Sequence, residues 1–509
     1  MTLQELSPAP SRARARTADT HTEATGLAAL RQRLHQDLQR LCLPADDWLR
    51  RPDDDPTLDV AIVGAGMSGL AAAAALRLLG VPKVRVFDRN PPGQAGPWVT
   101  HARMETLRSP KHLSGPALGL PSLTFRAWYE AQFGATGWER LDRIPRAQWQ
   151  AYLNWYREVL DLPVTHHTRV EGITDTTLPD GLPGVGLTLR GTTTEKGGPH
   201  HLQARHLVLA TGMDGLGGGA IPAEAATLPR TRWQHTSETI DFAALHGRRL
   251  GIVGGGDSAL DAAATALEAG VGEVLVFVRG ADFPRINYWK AFAHPGHYHG
   301  FAGLTPEARQ PLLDFLKAQK VPPARGTVRR LARFDNVRLH FNSPVAALSL
   351  DDRGAVRVRT PHDTYSVDHL LFATGYATDL AARVELQGLT PHIRFWNERD
   401  DAPAAGFALN GFPDLTPDFA LREKVPGTCP VLGRVHLFTG AALMSVGKLT
   451  GDIPGVSHGA ERLARGIAAR LYAADLPQQL QALHDYDELE VQGDEWAALR
   501  VDHPASAAP

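Results

Sequence analysis

The chain has 509 residues, with 53 basic and 55 acidic side chains and a formal net charge of −2. This length exceeds one ordinary hydrophobic core and predicts two or three domains, while the balanced charge gives no reason to expect a nucleic-acid partner. The two cysteines, Cys42 and Cys429, exclude a disulfide framework, a zinc quartet and a redox C-x-x-C pair.

The N-terminal region predicts a tail and one helix. Residues 1–25 are polar and are expected to be disordered, and apolar residues at spacings of three and four predict an amphipathic helix over 27–43. An acidic linker over 53–56 follows. No apolar segment of the kind found in secretory signals follows the early arginines, and the longest apolar run, 69–76, is too short to span a membrane. We therefore expect a cytoplasmic protein.

A glycine-rich turn follows the first apolar strand. The strand is predicted over 60–63, and Gly64 allows a sharp exit from it. Gly66 lets the backbone approach a pyrophosphate, and Gly69 lets the next helix, predicted over 70–79, pack on the sheet. The N-terminus of that helix directs N–H groups and a partial positive charge at the phosphates.

The strand after this helix identifies the ligand. It is predicted over 83–87 and is followed by Asp88. A carboxylate near this offset accepts hydrogen bonds from ribose hydroxyls. It also repels a 2′-phosphate, so the first site is predicted to hold FAD or NAD and not NADP.

A second turn repeats the pattern. Gly254 and Gly256 match the first two glycines, and Ala259 replaces the third. The following strand, predicted over 273–278, leads to Arg279. An arginine can bind a 2′-phosphate in a bidentate manner, which predicts an NADPH site.

The remaining elements complete two α/β folds. A segment rich in histidine, tyrosine, tryptophan and arginine over 283–332 is foreign to a minimal nucleotide-binding fold and is expected to become helical. The other predictions are a buried helix over 148–156, a β-meander over 164–205, strands over 206–212, 369–375 and 435–438, and a helix from Pro454 to about 474.

Two basic residues follow the first nucleotide fold. Arg108 and Lys111 lie downstream of a turn at 96–98. As cations, they are candidates to hold a substrate carboxylate. The alternative is a solvated basic loop.

Three histidines cluster in the segment 283–301, at His294, His297 and His299. Their spacing, H-x-x-H-x-H, fits no common zinc pattern, so no metal site is predicted. A loop lining the substrate entrance and a set of structural histidines remain the two interpretations.

The order of these motifs resembles that of the class B flavin-dependent monooxygenases, which include flavin-containing, Baeyer–Villiger and N-hydroxylating enzymes. A G-x-W turn at 96–98 and an A-T-G at 210–212 follow the first fingerprint, and an A-T-G-Y at 373–376 follows the second. The stretch 229–237 keeps the histidine, His235, of a family signature but lacks its phenylalanine and glycine. The resemblance is therefore to a divergent branch.

The resemblance implies a set of cofactor contacts. FAD would be bound by Gly64, Gly66, Ser68, Gly69, Asp88, Arg89, Gly96, Trp98 and Gly212. NADPH would be bound by Gly254, Gly256, Asp257, Ser258 and Arg279. Thr374, Gly375 and Tyr376 would lie on the linkers between the two folds, and Gly455 would open a helix directed at the flavin.

The resemblance also implies a reaction. NADPH would reduce FAD, the reduced flavin would react with O₂ to give a C4a-(hydro)peroxyflavin, and one oxygen atom would enter a small-molecule substrate. Arg108 and Lys111 would be the catalytic candidates, holding a substrate carboxylate or the charge of the peroxyflavin. Nitrogen, sulfur and carbon all remain candidates for the oxygenated atom, and the residues predict no oligomeric state. An NADPH-dependent flavin oxidoreductase that passes electrons to a quinone or a protein, and a cofactor-binding regulator without activity, remain as alternatives.

The predicted fold class is α/β, with two Rossmann-like dinucleotide-binding domains and a small helical N-terminal extension. The NADPH domain is expected to be inserted into the FAD domain. The predicted ranges are 1–57 for the tail and first helix, 58–225 and 377–480 for the FAD domain, 226–376 for the NADPH domain with its inserted segment 283–332, and 481–509 for the C-terminal tail.

Overall fold

The computed structural model of the chain describes residues 25–49, 55–192, 198–401, 411–501 and 503. The predicted disordered tail, apart from its last residue, and the first half of the predicted linker lie outside these residues. The described helices are α1 Gly26–Arg40, α2 Met67–Leu78, α3 Phe125–Arg140, α4 Arg146–Val159, α5 Asp257–Glu268, α6 Tyr288–Phe292, α7 Pro295–Gly300, α8 Pro306–Ala318, α9 Arg325–Leu331, α10 Leu443–Val446, α11 Val456–Ala474 and α12 Leu476–His484.

Fifteen strands are present within the described residues, in three sheets. The chain is therefore of the α/β class, as predicted. The strands are β1 Leu58–Val63, β2 Val84–Phe87, β3 Val164–Thr165, β4 Thr168–Thr177, β5 Pro183–Gly191, β6 His200–Leu209, β7 Trp233–His235, β8 Arg249–Val253, β9 Glu273–Phe277, β10 Val337–His340, β11 Ala347–Leu350, β12 Val356–Arg359, β13 Thr364–Val367, β14 His369–Phe372 and β15 Val435–Leu437.

The first sheet carries the first glycine turn. Its strand order is β3-β2-β1-β6-β5-β4, with β15 also paired to β6. Strands β3, β2, β1, β6 and β15 pair in parallel, whereas β4, β5 and β6 form the predicted antiparallel meander. Helix α2 is buried along most of its length and packs against α11, so an early and a late segment of the chain share one core.

The second sheet carries the second glycine turn. Its order is β10-β9-β8-β14-β7, and all of its pairs are parallel. Parallel sheets need crossover connections, and α5 supplies the one between β8 and β9. A separate antiparallel sheet of β11, β12 and β13, which was not predicted, precedes β14.

The segment 283–332 contains four helices, α6 to α9. Tyr298 belongs to the core of the first fold, and Phe301 packs with Trp396 and Met444. Helix α9 instead packs on α5 of the second fold. The inserted segment therefore touches both nucleotide-binding folds.

The first helix is shorter than predicted. The expected range was 27–43, but α1 ends at Arg40 and Cys42 takes a left-handed conformation with φ of 53°. Pro44 follows two residues later, and helices commonly end just before a proline. Among the described residues, none of the helices is both long and apolar enough to cross a lipid bilayer.

Candidate active site

The first glycine turn is shaped by backbone contacts. Gly64 has φ of 102°, and a Cβ atom on it would lie 2.5 Å from the carbonyl oxygen of Ala210. Gly69 lies in the first turn of α2, where a Cβ atom would lie 1.8 Å from the carbonyl oxygen of Gly64. Only glycine fits at either position. Together they bring the start of α2 against the end of β1.

A cavity of about 660 Å³ opens at this turn. It is formed by the ends of β1, β2 and β6, by the segment around 94–101 and by residues near 383. The lining residues that had been assigned to FAD from the sequence are Gly64, Gly66, Ser68, Asp88, Arg89, Gly96, Trp98 and Gly212.

Two residues assigned to FAD lie outside this lining. Gly69 serves the packing of α2, as described above. Gly455 precedes α11, and a Cβ atom on it would lie 2.5 Å from the carbonyl oxygen of Lys448. Gly451, a few residues earlier, does line the cavity. The segment that leads into α11 therefore reaches the cavity through Gly451.

Asp88 is buried at the end of β2. Its Oδ2 atom accepts a hydrogen bond from the Ala65 N–H at 2.7 Å, and its Oδ1 atom accepts one from the Asn90 N–H at 2.8 Å. Two backbone groups thus hold the carboxylate against the glycine turn. A carboxylate has further lone pairs, which are available to ribose hydroxyls.

The residues fit an FAD molecule in two respects. A Cβ atom on Gly66 would lie 3.5 Å from Gly96 Cα. The two glycine backbones therefore lie close together at the cavity wall, with no side chain between them. Trp98 lines the cavity, and its buried indole Nε1 atom has no hydrogen-bond partner among the described residues. A buried donor without a partner is costly, and a bound dinucleotide offers acceptors to it.

Charged residues that the sequence did not indicate also line the cavity, among them Asp214, Arg383 and Glu385. The predicted Arg89 pairs with Asp214 at 2.7 Å, and Arg383 pairs with Glu385 at 2.7 Å. The Arg383 Nη1 atom also donates to the Asp214 carbonyl oxygen at 3.0 Å. His101 is a further lining residue, and burial lowers its pKa. Only Asp214 had a usable signal, because it follows the first A-T-G by two positions.

The segment 374–376 forms a double linker with 216–220. The Ala220 N–H donates to the Gly375 carbonyl at 2.9 Å, and the Ala377 N–H donates to the Gly218 carbonyl at 3.0 Å. Thr374 Oγ1 donates to the carbonyl of Ala220. The two connections between the sheets therefore run side by side and are hydrogen-bonded to each other.

Tyr376 lies on this double linker beside His235. Their ring centroids are 6.0 Å apart, and burial raises the pKa of Tyr376 to about 12. The His235 Nδ1 atom lies 2.8 Å from Ser237 Oγ, and Ser237 in turn lines the cavity. The second fold therefore contributes a residue to the wall of the first cavity.

The second glycine turn makes the same close backbone approach as the first. Gly254 has φ of 139°, and a Cβ atom on it would lie 2.4 Å from the carbonyl oxygen of Ala373. Gly256 has no heavy atom within 4 Å of such a Cβ position, and Ser258 beside it is exposed. This open face at the start of α5 fits a diphosphate.

The register of the two turns shows which residue of the second site corresponds to Asp88. Gly64 N–H donates to the Phe87 carbonyl at 2.8 Å, and Gly254 N–H donates to the Phe277 carbonyl at 3.0 Å. The counterpart of Asp88 is therefore Val278, and Arg279 is one residue farther on. Arg279 is exposed and has no ion-pair or hydrogen-bond partner within the described part of the chain. An apolar residue thus replaces the carboxylate, with a free guanidinium next to it.

Lys111 does not line the cavity. Its Nζ atom donates to the carbonyls of Trp138 and Leu141, both at 2.5 Å, and lies 4.8 Å from the centre of the Trp138 ring. These carbonyls belong to the end of α3, where a cation is favourable. The contacts support a helix-capping role for Lys111.

Arg108 lies away from the cavity as well. Its Nη1 atom pairs with Asp257 Oδ2 in the first turn of α5. Burial raises the pKa of Asp257, and the charge of Arg108 opposes this shift. Arg108 therefore belongs to the second glycine turn and not to the flavin cavity where it was expected.

The histidines of the inserted segment make structural contacts. His297 Nε2 accepts from the Lys448 N–H at 3.0 Å, and burial together with nearby positive charges lowers the pKa of His297 to about 4. Tyr298 stacks on His458 of α11 with ring centroids 4.8 Å apart. Among the described residues, no group of three or more histidine, cysteine or acidic side chains is arranged to hold a metal ion.

Comparison with known proteins identifies the family. The profile of an FAD-NAD(P)-binding family matches residues 61–214, and that of the L-lysine 6-monooxygenase/L-ornithine 5-monooxygenase family matches residues 138–378. The chain is 40% identical over 473 residues to an FAD-dependent urate hydroxylase of Xanthomonas campestris pv. campestris, covering 92% of this chain and 98% of that protein. The chain belongs to the class B flavin-dependent monooxygenases. FAD and NAD(P)H are its cofactors.

Solved structures share the fold. An ornithine N-hydroxylase of Kutzneria sp. 744 superimposes with a TM-score of 0.62 at 17% identity, over 82% of this monooxygenase and all of that chain. A cadaverine monooxygenase of Erwinia amylovora gives 0.60 at 18% identity, over 81% and 95% of the two chains. At these identities the agreement concerns the fold alone.

Proposed function

We propose that this monooxygenase uses NADPH and O₂ to hydroxylate urate or a closely related oxidised purine. The observation that carries the proposal is the 40% identity to a urate hydroxylase over nearly the full length of both chains. The solved ornithine N-hydroxylase and cadaverine monooxygenase are only 17% and 18% identical to this chain. The substrate is therefore proposed from the similarity to the urate hydroxylase.

The chain's own residues would bind and orient the flavin. The turn at Gly64 and the N-terminus of α2 would bind the pyrophosphate, and Asp88 would accept from the ribose. FAD, when bound, supplies the two-electron reduction and the activation of O₂. Helix α11 is 19 residues long, and its positive end, preceded by Gly451 at the cavity, would stabilise negative charge on the reduced flavin ring.

The second turn would select NADPH. Val278 stands where the flavin site has Asp88, so no carboxylate repels a 2′-phosphate. The unpaired guanidinium of Arg279 would bind that phosphate. Discrimination against NADH thus rests on two adjacent residues at the end of β9.

The test is a stoichiometric assay of the FAD-loaded protein. When urate, NADPH and O₂ are supplied together, we expect them to be consumed in equal amounts. Urate and NADPH are measured by their absorbance, and O₂ is measured with an oxygen electrode. Ornithine, lysine and cadaverine serve as comparison substrates and should not be consumed. Unchanged urate with rapid reduction of a quinone by NADPH would instead support a flavin oxidoreductase.

A further inference from the structure

The second glycine turn carries a charge that the first one lacks. Helix α5 begins at Asp257, directly after Gly256, whereas α2 has Met67 at the equivalent position. A carboxylate in the first turn of a helix is favourable to the helix dipole. It is unfavourable to a diphosphate that must bind at the same helix end. An opposing positive charge is therefore needed at this site and not at the other.

Arg108 supplies that charge from a distant part of the chain. Its Nη1 atom contacts Asp257 Oδ2, and Asp257 Oδ1 accepts from the Ala324 N–H at 2.9 Å. The arginine backbone is fixed, since Arg143 Nη1 donates to the Arg108 carbonyl at 2.7 Å and the Leu107 N–H donates to the Ile144 carbonyl at 2.8 Å. The guanidinium is thus held at the start of α5 and is not a freely moving surface group.

The exposure of the two side chains differs. Asp257 is 6% exposed, whereas Arg108 is 39% exposed. The carboxylate is therefore covered by its partners, whereas the Arg108 side chain stays partly exposed and its buried Nε atom has no hydrogen-bond partner among the described residues. The guanidinium lies at the helix end whose neighbouring residues, Gly256 and Ser258, are exposed. A phosphate there would meet donors from Arg108 and from the first turn of α5.

Two other arginines near this helix are already engaged. Arg103 donates through Nη2 to the Glu238 carbonyl at 2.8 Å and through Nη1 to the Thr236 carbonyl at 2.5 Å. Arg330 is buried and pairs with Glu268 at 2.6 Å. Of these three arginines, only Arg108 combines a position at the N-terminus of α5 with partial exposure.

We propose that Arg108 is a pyrophosphate-binding residue of the NADPH site, contributed by the segment that follows the flavin turn. It neutralises Asp257 and donates to the diphosphate. The inference rests on the placement of NADPH at the second glycine turn and is independent of urate as the substrate.

The test is a set of charge variants measured by binding. NADP⁺ is titrated calorimetrically into the oxidised, FAD-loaded protein. Arg108→Ala should raise the Kd about tenfold, the loss of a charge-assisted contact to phosphate. Asp257→Asn should not weaken binding, because it removes a repulsion. The double variant should recover part of the loss caused by Arg108→Ala.

A second ligand separates this role from that of Arg279. Arg108→Ala should raise the Kd for NAD⁺ and the Kd for NADP⁺ by the same factor, because both nucleotides carry the diphosphate. Arg190→Ala, which removes the arginine of an exposed pair with Glu171, is the matched control and should bind as the parent does. FAD content and melting temperature verify folding, and Arg108→Gln replaces the alanine variant if that variant loses FAD.

Two results would overturn the proposal. Unchanged Kd values in Arg108→Ala would show that the guanidinium does not touch the diphosphate. Equal weakening by Arg108→Ala and Asp257→Asn would show that the pair acts only as a clamp between two segments. Neither readout involves substrate turnover, so an incorrect assignment of urate would leave both results interpretable.

Discussion

Arg279 is the side chain on which nucleotide choice is proposed to depend. It is exposed beyond the end of β9 and has no ion-pair or hydrogen-bond partner within the described residues. Replacing it by alanine should raise the KM for NADPH about tenfold and leave the KM for NADH nearly unchanged, because only the former carries the 2′-phosphate. Steady-state oxidation of each nucleotide measures the two constants.

The neighbouring strand offers a control for this experiment. Arg338 lies on β10, is exposed and donates to the Val337 carbonyl at 2.8 Å. Its alanine variant should leave both constants unchanged. If Arg279→Ala raised the KM for NADPH and the KM for NADH by the same factor, the guanidinium would not bind the 2′-phosphate.

Residues were predictable where the backbone imposes a residue type. Gly64 and Gly69 were identified because a Cβ atom would collide with main-chain oxygens there, and Asp88 because the flavin ribose needs an acceptor. Arg108 was predicted to act near the flavin, whereas the structure pairs it with Asp257, which is remote in sequence and belongs to the other fold. Charge pairs between distant segments leave no periodic pattern in a sequence.

Two glycines near the starts of α2 and α5 allow a pair of contrasting alanine variants. Gly69→Ala should separate α2 from the end of β1, since its Cβ would lie 1.8 Å from the Gly64 carbonyl oxygen. The protein should then lose FAD during purification. Gly256→Ala has open space around it and should retain FAD, but its methyl group would occupy the space of a diphosphate and weaken NADP⁺.

Flavin absorbance relative to protein absorbance measures the first effect, and calorimetric titration with NADP⁺ measures the second. Retention of FAD by Gly69→Ala would contradict the steric argument. Unchanged NADP⁺ affinity in Gly256→Ala would contradict the placement of the diphosphate at α5.

Elements were predictable where they are long or strongly patterned. The meander over β4, β5 and β6 and the buried helix α4 follow from alternation and helical spacing in the sequence. The sheet of β11, β12 and β13 was missed, because each strand has only four residues and the loops between them are comparably short. Helices α6 and α7 were not placed individually within the segment that was expected to become helical, since five or six residues carry too little periodicity.

The stability of the whole molecule should depend on pH through buried histidines. Burial lowers the pKa of His436 to about 4, and that of His206, 3.1 Å away, falls well below its usual value. The unfolded chain binds these protons near pH 6.5 and the folded chain does not. The free energy of unfolding should therefore fall as the pH drops from about 6.5 to about 4, by at most about 1.4 kcal/mol per pH unit for each such histidine.

Urea unfolding of the FAD-loaded protein at about pH 7 and about pH 5 tests this prediction. His436→Gln removes one titrating group and should make the dependence shallower. Asp418, whose pKa is held at about 2 by Arg470 and His436 among others, acts only at lower pH and does not obscure the comparison. Equal stability at the two values would mean that these histidines are protonated in the folded protein.

The two sites are built on one backbone contact. The first glycine of each turn approaches an alanine carbonyl, that of Ala210 or that of Ala373, and the Cβ distances of 2.5 Å and 2.4 Å are nearly the same. The shape of each turn is thus set by main-chain geometry, whereas the proposed choice among dinucleotides depends on the few side chains beyond each strand. Dinucleotide binding and dinucleotide selectivity can therefore change separately in evolution. A descendant of this protein could change its preference between NADPH and NADH without a change in the backbone of the binding site.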